Sequence, residues 1–259
     1  PKETVLQVRN LSAKDSKGSL ALKHVSFEIR AGEVLGIAGV EGNGQTELVE
    51  TLTGLRKAET GEILYMGRNL AGLGAADIRR MQIGHIPEDR QTSGACLTSS
   101  IVENLVLDHY RSREFKRGPF LNHGKMRAFA RELMQRFDVR AQSEDVPTGS
   151  LSGGNLQKVV VARELSKNPK LLIASQPTRG VDIGAIEFIH REILKQRDNG
   201  AAVLVVSAEL SEVMALSDRI AVLYNGEIVA VLDNTPELTE EEIGSYMLGV
   251  KRQGQEAAS

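Results

Sequence analysis

Val34-Leu-Gly-Ile-Ala-Gly-Val-Glu-Gly-Asn-Gly-Gln-Thr46 begins as a short apolar run, passes through a glycine-rich turn and opens a helical stretch near Thr46–Thr53. A strand that ends on clustered glycines and feeds a helix is a building block of an α/β sheet. Gly39, Gly42 and Gly44 allow tight turning and leave amide N–H groups at a positive helix N-terminus, a good place for anionic oxygens. The segment meets the phosphate-loop pattern G-x-x-x-x-G-K-[ST] everywhere except the lysine, where Gln45 stands. Glutamine offers only neutral hydrogen bonds, so the exchange should cost roughly 1–2 kcal/mol in phosphate binding. The candidate nucleotide-binding residues are therefore Gly39, Gly42, Asn43, Gly44, Gln45 and Thr46, with the Thr46 hydroxyl still able to ligate magnesium.

Outward from this loop, β-rich and helical runs alternate. Strands are expected at Val5–Val8, Val25–Ile29, Val34–Ala38, Glu62–Tyr65 and Ile83–Ile86. Residues 98–139 read as mainly helical and polar, and Asn122–Phe137 carries apolar residues at helical spacing. A helix near Asn155–Lys167, a strand Leu171–Ala174, a helix Ala185–Gln196 and a strand Val203–Val206 follow. Asn225–Gly226 between Ile220–Tyr224 and Ile228–Leu232 is a strong hairpin signal. Thr239 caps a helix whose first turn holds Glu240–Glu242.

Bulk properties narrow the function. The 259 residues are 41% apolar and 25% charged, as in a globular protein with a full core. A net charge of −2 supplies no basic excess for nucleic acid. One cysteine, Cys96, allows no internal disulfide, and the five histidines show no ligand spacing. No apolar stretch is long enough to span a membrane, and a proline at position 1 suggests a piece of a longer chain. Arg90 and Arg179 are read as solvent-exposed, within conceivable reach of a phosphate.

A second constellation joins the first. Leu151-Ser-Gly-Gly-Asn-Leu-Gln157 places a hydroxyl and bare amides at the start of a helix that is apolar around much of its circumference. Lys170-Leu-Leu-Ile-Ala-Ser-Gln-Pro-Thr178 and Arg179-Gly-Val-Asp182 come next. Here the chain resembles the ATP-binding-cassette (ABC) ATPases from Val5 to about Leu248: LSGGN is similar to their signature motif and RGVD to their D-loop.

That resemblance implies a P-loop NTPase-like α/β cassette with a mixed or parallel sheet core, an N-terminal antiparallel β subdomain and an inserted helical subdomain. One domain is expected over 1–250, its core about 1–97 and 170–250, its helical subdomain about 98–169, with a disordered tail over 251–259. It also implies a degenerate catalytic site. The Walker B acids fall on Ser175 and Gln176, the switch histidine on Ala208 and the Q-loop glutamine on Glu88, while Ser12–Ser16 holds no ring for adenine. Neither Ser175 nor Gln176 can act as an anion or general base.

Leu151, Ser152, Gly153, Gly154, Asn155 and Gln157 would then serve in trans, with Asp182 at the dimer seam, completing a partner's site. ATP would be bound mainly there, with magnesium weak or absent in this domain's own site. GVEGNGQTEL, the Pro-Glu-Asp-Arg run over 87–90 and PTRGVD resemble the second cassette of tandem importers for simple sugars or nucleosides. The implied partners are an N-terminal cassette of the same polypeptide, membrane permease subunits and, indirectly, a solute-binding protein, with no nucleic acid. The implied location is the cytoplasmic face of the cell membrane. The alternatives are a nucleotide-independent interaction scaffold and a soluble, non-transport ABC protein.

Overall fold

The computed structural model describes residues 2–110, 112–117 and 120–254. In chain order the elements begin with β1 (Thr4–Lys14), β2 (Leu20–Arg30), β3 (Glu33–Ala38), α1 (Gln45–Leu52), β4 (Thr60–Tyr65), β5 (Arg68–Asn69), α2 (Ala75–Ile78) and β6 (Ile83–Ile86). They continue with α3 (Ile101–Val106), β7 (Lys116–Arg117), β8 (Phe120–Leu121), α4 (His123–Arg136), α5 (Gly153–Leu165), β9 (Leu171–Ser175) and α6 (Ile183–Asp198). The last are β10 (Ala202–Val206), α7 (Leu210–Leu216), β11 (Arg219–Tyr224), β12 (Glu227–Asp233) and α8 (Glu240–Met247). The chain divides into two compact units. One holds the chain up to His85, Lys170–Gln176 and the chain from Ile193 onward; the other holds Ile86–Pro169 and Pro177–Glu192.

The first unit is built on two sheets. A mixed sheet has the order β12-β11-β3-β10-β9-β6, and an antiparallel sheet the order β2-β1-β4-β5. Every residue of β3, β9 and β10 is buried, as continuous apolar runs in parallel strands require. Gly36 lies where α7 approaches β3: a Cβ there would stand 2.2 Å from Ser217 Oγ and 2.6 Å from Val213 Cγ1. The strand expected over Val5–Val8 runs the full length of β1, because shifts of register let one strand bend and keep its partners β2 and β4. Asn225 and Gly226 both take positive φ, 49° and 81°, as the tight hairpin between β11 and β12 demands. Residues at the start of the expected tail pair with β12: Gln253 N–H donates to the Val229 carbonyl at 2.9 Å and Gln253 Oε1 accepts from Val231 N–H at 2.8 Å. Residues 255–259 lie outside the described ones.

The second unit is helical, with the small hairpin of β7 and β8 between α3 and α4. That hairpin is absent from the sequence expectation, because two-residue strands carry no periodicity. The α5 side chains from Leu156 to Leu165 are all buried. Burial includes charge. Glu164 Oε1 accepts from Arg163 Nε at 2.8 Å, Glu164 Oε2 from Lys167 Nζ at 3.1 Å, and Lys167 Nζ reaches Asp108 Oδ2 at 2.6 Å. His109 packs edge-on against Phe115 and Phe129, and burial pushes its imidazole down toward the neutral form.

Removing one member of such a buried network strands the others without solvent. Glu164→Ala should lower stability by about 3–5 kcal/mol. The measurement is urea unfolding, read as a lower midpoint at unchanged slope.

Candidate functional site

Two separate groups of residues carry chemistry, one in each unit. In the first unit, Ile37, Val206 and Ser175 stand side by side near the C-terminal ends of parallel β3, β10 and β9. The segments that leave these ends are the glycine-rich loop, Ser207–Ala208, and Gln176. The structure thus brings together Gly39–Thr46, Ser175, Gln176 and Ala208 at one edge of the sheet, the edge where open α/β sheets place their ligands.

The loop is held from several sides. Gly42 and Gly44 have φ of 89° and 111°, open to glycine and strained for other residues. A Cβ on Gly39 would lie 2.6 Å from the Leu223 carbonyl oxygen and 2.7 Å from Gln45 Nε2. Asn43 ties the loop to the β11–β12 turn: its Oδ1 accepts from Asn225 N–H at 2.7 Å, and its carbonyl accepts from Gly226 N–H at 3.0 Å. The sequence marks that turn only as a hairpin; its part in supporting the loop shows in three dimensions alone. Gln45 folds back on the loop, its Oε1 accepting from Asn43 N–H at 3.1 Å and its Nε2 donating to the Val40 carbonyl at 2.9 Å. Gln176, at φ 47°, spans to the end of β10, its Oε1 accepting from Ser207 Oγ and Ala208 N–H at 3.3 Å each.

A magnesium nucleotide poised for cleavage needs a cation on its phosphates, an anion for the metal and a base for water. Gln45, Ser175, Gln176 and Ala208 supply none of these, and the two glutamines already spend carboxamide bonds on the backbone around them. These residues do not fit that chemistry. Among the described residues no group of three or more His, Cys, Asp or Glu is placed to hold a metal ion. No helix of the described residues is long and apolar enough to cross a membrane.

In the second unit Ser152 is the N-cap of α5. Its Oγ accepts from Asn155 N–H at 3.4 Å and from Asn155 Nδ2 at 3.0 Å. Asn155 is itself oriented, its Oδ1 accepting from Arg140 N–H at 2.8 Å. With both bonds accepted, the Ser152 proton remains for an outside acceptor, beside first-turn amides that have no intrahelical partner. Gln157, 2% exposed, donates through Nε2 to the Pro177 carbonyl at 2.7 Å and anchors α5 to the segment after β9. Asp182 Oδ1 accepts from Ala185 N–H at 3.0 Å, capping the start of α6. A cleft of about 280 Å³ lies between Asp182, Gly154, Asn155, Lys158, Asp138 and Arg140.

Gly153 and Gly154 each have a neighbour close to where a side chain would begin. A Cβ on Gly154 would stand 2.6 Å from Asp182 Oδ2, and one on Gly153 would stand 3.0 Å from an Arg90 Nη atom. Glu88, the position expected to match the Q-loop glutamine, pairs with the Arg179 guanidinium. Arg90 differs from the solvent-exposed reading too, since its guanidinium donates to the Arg179 and Gly180 carbonyls at 2.6 and 3.1 Å. Nothing local in sequence announces these contacts, which join residues about ninety positions apart.

Lys158 Nζ donates to Asp138 Oδ2 at 2.7 Å, and this bond, with a weaker one from Arg140, holds the Asp138 carboxyl below its ordinary 3.8. A depressed folded value gives stability that is complete above the unfolded value and lost as pH falls through the folded one. Asp138→Asn should therefore flatten the part of the pH–stability curve below 3.8, checked by thermal unfolding across that range. Gly154→Ala should push the exposed Asp182 carboxylate aside and weaken its cap on α6, a loss offset by alanine's better helix propensity, so the unfolding free energy, read from the unfolding midpoint, should change by no more than about 1 kcal/mol.

The comparisons with known proteins agree with this geometry. Residues 22–179 match the family described as ABC transporter. The nucleoside import ATP-binding protein NupA of Lactococcus lactis subsp. cremoris is 46% identical over 250 residues, covering 96% of this chain and 49% of that protein. The guanosine import ATP-binding protein NupO of Bacillus subtilis is 45% identical over 249 residues, again covering 96% and 49%. The chain thus spans about half the length of these relatives. Among solved structures, a nucleotide-free ATP-binding cassette from an ABC transporter superposes with a TM-score of 0.75 at 24% identity, covering 95% of each chain. A dimeric cassette in a post-hydrolysis state, bound to ADP and phosphate, superposes with a TM-score of 0.76 at 23% identity, covering 89% of this chain and 99% of that one. At those identities the structural matches establish the fold, an ABC cassette with antiparallel and mixed sheets and a helical part.

Proposed function

The chain belongs to the ABC transporter family, and from that membership we propose that it is the non-hydrolysing cassette of an importer for nucleosides or simple sugars. ABC ATPase domains bind ATP, generally with magnesium. In this reading the productive nucleotide sits on a partner cassette's phosphate loop, and this chain completes that site with Ser152, Gly153, Gly154 and Asn155. The carrying observation is the contrast between the two groups of residues. Gln45, Ser175, Gln176 and Ala208 form an uncharged edge, while Ser152 caps an ordered helix with its proton free to donate.

The Ser152 hydroxyl would donate to the terminal phosphate, and the amides of the first turn of α5 would add their positive end. Asn155 would hold the hydroxyl oxygen in place by donating to it. Gly39–Thr46 would take nucleotide weakly and without turnover, and magnesium least of all. Asp182 would lie at the seam with the partner.

The partner cassette is proposed as the N-terminal half of one polypeptide, which the half-length match to the relatives supports. The class of solute rests on relatives named for import of nucleosides, guanosine, glucose and ribose, at 46%, 45%, 45% and 36% identity. Permease subunits would carry the solute, fed by a solute-binding protein, and the cassettes would sit peripherally on the inner face of the membrane.

Two measurements test this. The isolated domain with ATP and magnesium should release no phosphate above background; turnover that disappears with Gln176→Ala would overturn the reading. In the whole transporter, Ser152→Arg should abolish hydrolysis by the partner cassette. Unchanged hydrolysis would mean that the signature is not used in trans.

A further inference from the structure

The segment after β6 is a rigid turn. Asp89 Oδ1 accepts from Gln91 and Thr92 N–H at 2.8 and 3.1 Å, and Oδ2 from the Thr92 hydroxyl at 2.7 Å. The Asp89 carbonyl accepts from Ser93 and Gly94 N–H at 3.1 and 3.0 Å, closing one wide helical turn over Arg90–Gly94. Such a turn aims the side chains on either side of Asp89 in fixed directions. Both reach the same loop. Arg90 spans two successive carbonyls, those of Arg179 and Gly180, with its two terminal nitrogens. Glu88 takes the Arg179 guanidinium. The loop therefore has its backbone gripped at two points and its side chain at a third.

Downstream of this grip lies the signature. Gly180 has a φ of 65°, a state open to glycine, and its carbonyl is one of the two that Arg90 holds. Two residues on, Asp182 caps α6 and fills the space beside Gly154, while Arg90 itself fills the space beside Gly153. The Nε of Arg90 is buried, while its two terminal nitrogens carry the bonds to the loop.

We propose that Arg90, assisted by the Glu88–Arg179 pair, is a positioning residue that sets the Gly180–Asp182 loop and, through it, the signature glycines for work on a partner's nucleotide. The inference rests on the in-trans reading above. A planar guanidinium suits two adjacent carbonyls; a lysine ammonium would hold one of them without fixing its direction. The exposed ion pair contributes little stability of its own, so its effect belongs to geometry.

The test uses the whole transporter in lipid vesicles, with phosphate release followed against ATP concentration. Only preparations with the full subunit set and a wild-type unfolding temperature are compared. Arg90→Lys should lower kcat by about tenfold or more, because misplaced catalytic geometry acts on rate. KM for ATP should stay within about twofold, since the partner's loop holds the nucleotide. Glu88→Arg and Arg179→Glu should each lower kcat, and the double variant Glu88→Arg/Arg179→Glu should recover most of it. The proposal is overturned if Arg90→Lys hydrolyses as wild type, if it raises KM with kcat intact, or if the double variant is no better than the worse single. Ser152→Arg run alongside separates the two claims. If it abolishes hydrolysis while the Arg90 and Glu88 variants hydrolyse normally, the positioning role alone fails. If it changes nothing, the in-trans reading fails and takes this proposal with it.

Discussion

Three buried parallel strands, β3, β10 and β9, finish together, and the first unit's chemistry hangs from that common edge. Parallel strands of Val, Leu, Ile and Ala must be covered on both faces, so they can project reactive groups only from their ends. Whatever residues leave Ala38, Ser175 and Val206 are therefore forced into company, whether or not they can catalyse anything. In this chain that company includes Gln45, Ser175, Gln176 and Ala208, four side chains without charge. The loop is gripped by Asn43 and the Asn225–Gly226 turn, and Gln45 and Gln176 spend carboxamide bonds on the backbone around them. Architecture and reactivity are separable, because the first depends on apolar burial and the second on a few charged side chains.

The second unit reverses the balance. Its charges are many, and they serve shape. Arg90, Glu88, Arg179 and Asp182 organise a loop beside α5; Lys158 and Asp138 brace the other side of the same helix start. Ser152 sits amid this scaffold with an oriented hydroxyl. A donor that is preset before its target arrives loses little to reorganisation, which is how a single hydroxyl can matter for a charged acceptor.

Much of this was legible in the sequence. The strand, glycine turn and helix over Val34–Thr53, the Asn225–Gly226 hairpin and the Ser152 cap all follow from local backbone chemistry, and local chemistry is what a sequence displays. The edge shared by Gln45, Ser175, Gln176 and Ala208 needed the family resemblance, because only topology brings those segments level. The grip of Arg90 on the Arg179 and Gly180 carbonyls stayed hidden, since a carbonyl acceptor has no side-chain signature. The steric reasons for Gly153 and Gly154 were hidden too: their glycines invited an anion-binding reading, while the space they leave is taken by Arg90 and Asp182. The β7–β8 hairpin and α2 are simply too short to imprint a period.

The charged group of Asp108, Arg163, Glu164 and Lys167 sits where an apolar layer would pack as well or better at ordinary temperature. Heat changes that comparison. Hydration of ions carries a strongly negative entropy, so the penalty for having taken these groups out of water shrinks on warming, while apolar burial gains nothing further. The helical unit thus carries a stabilising element that strengthens, relative to the rest of its core, as the temperature climbs.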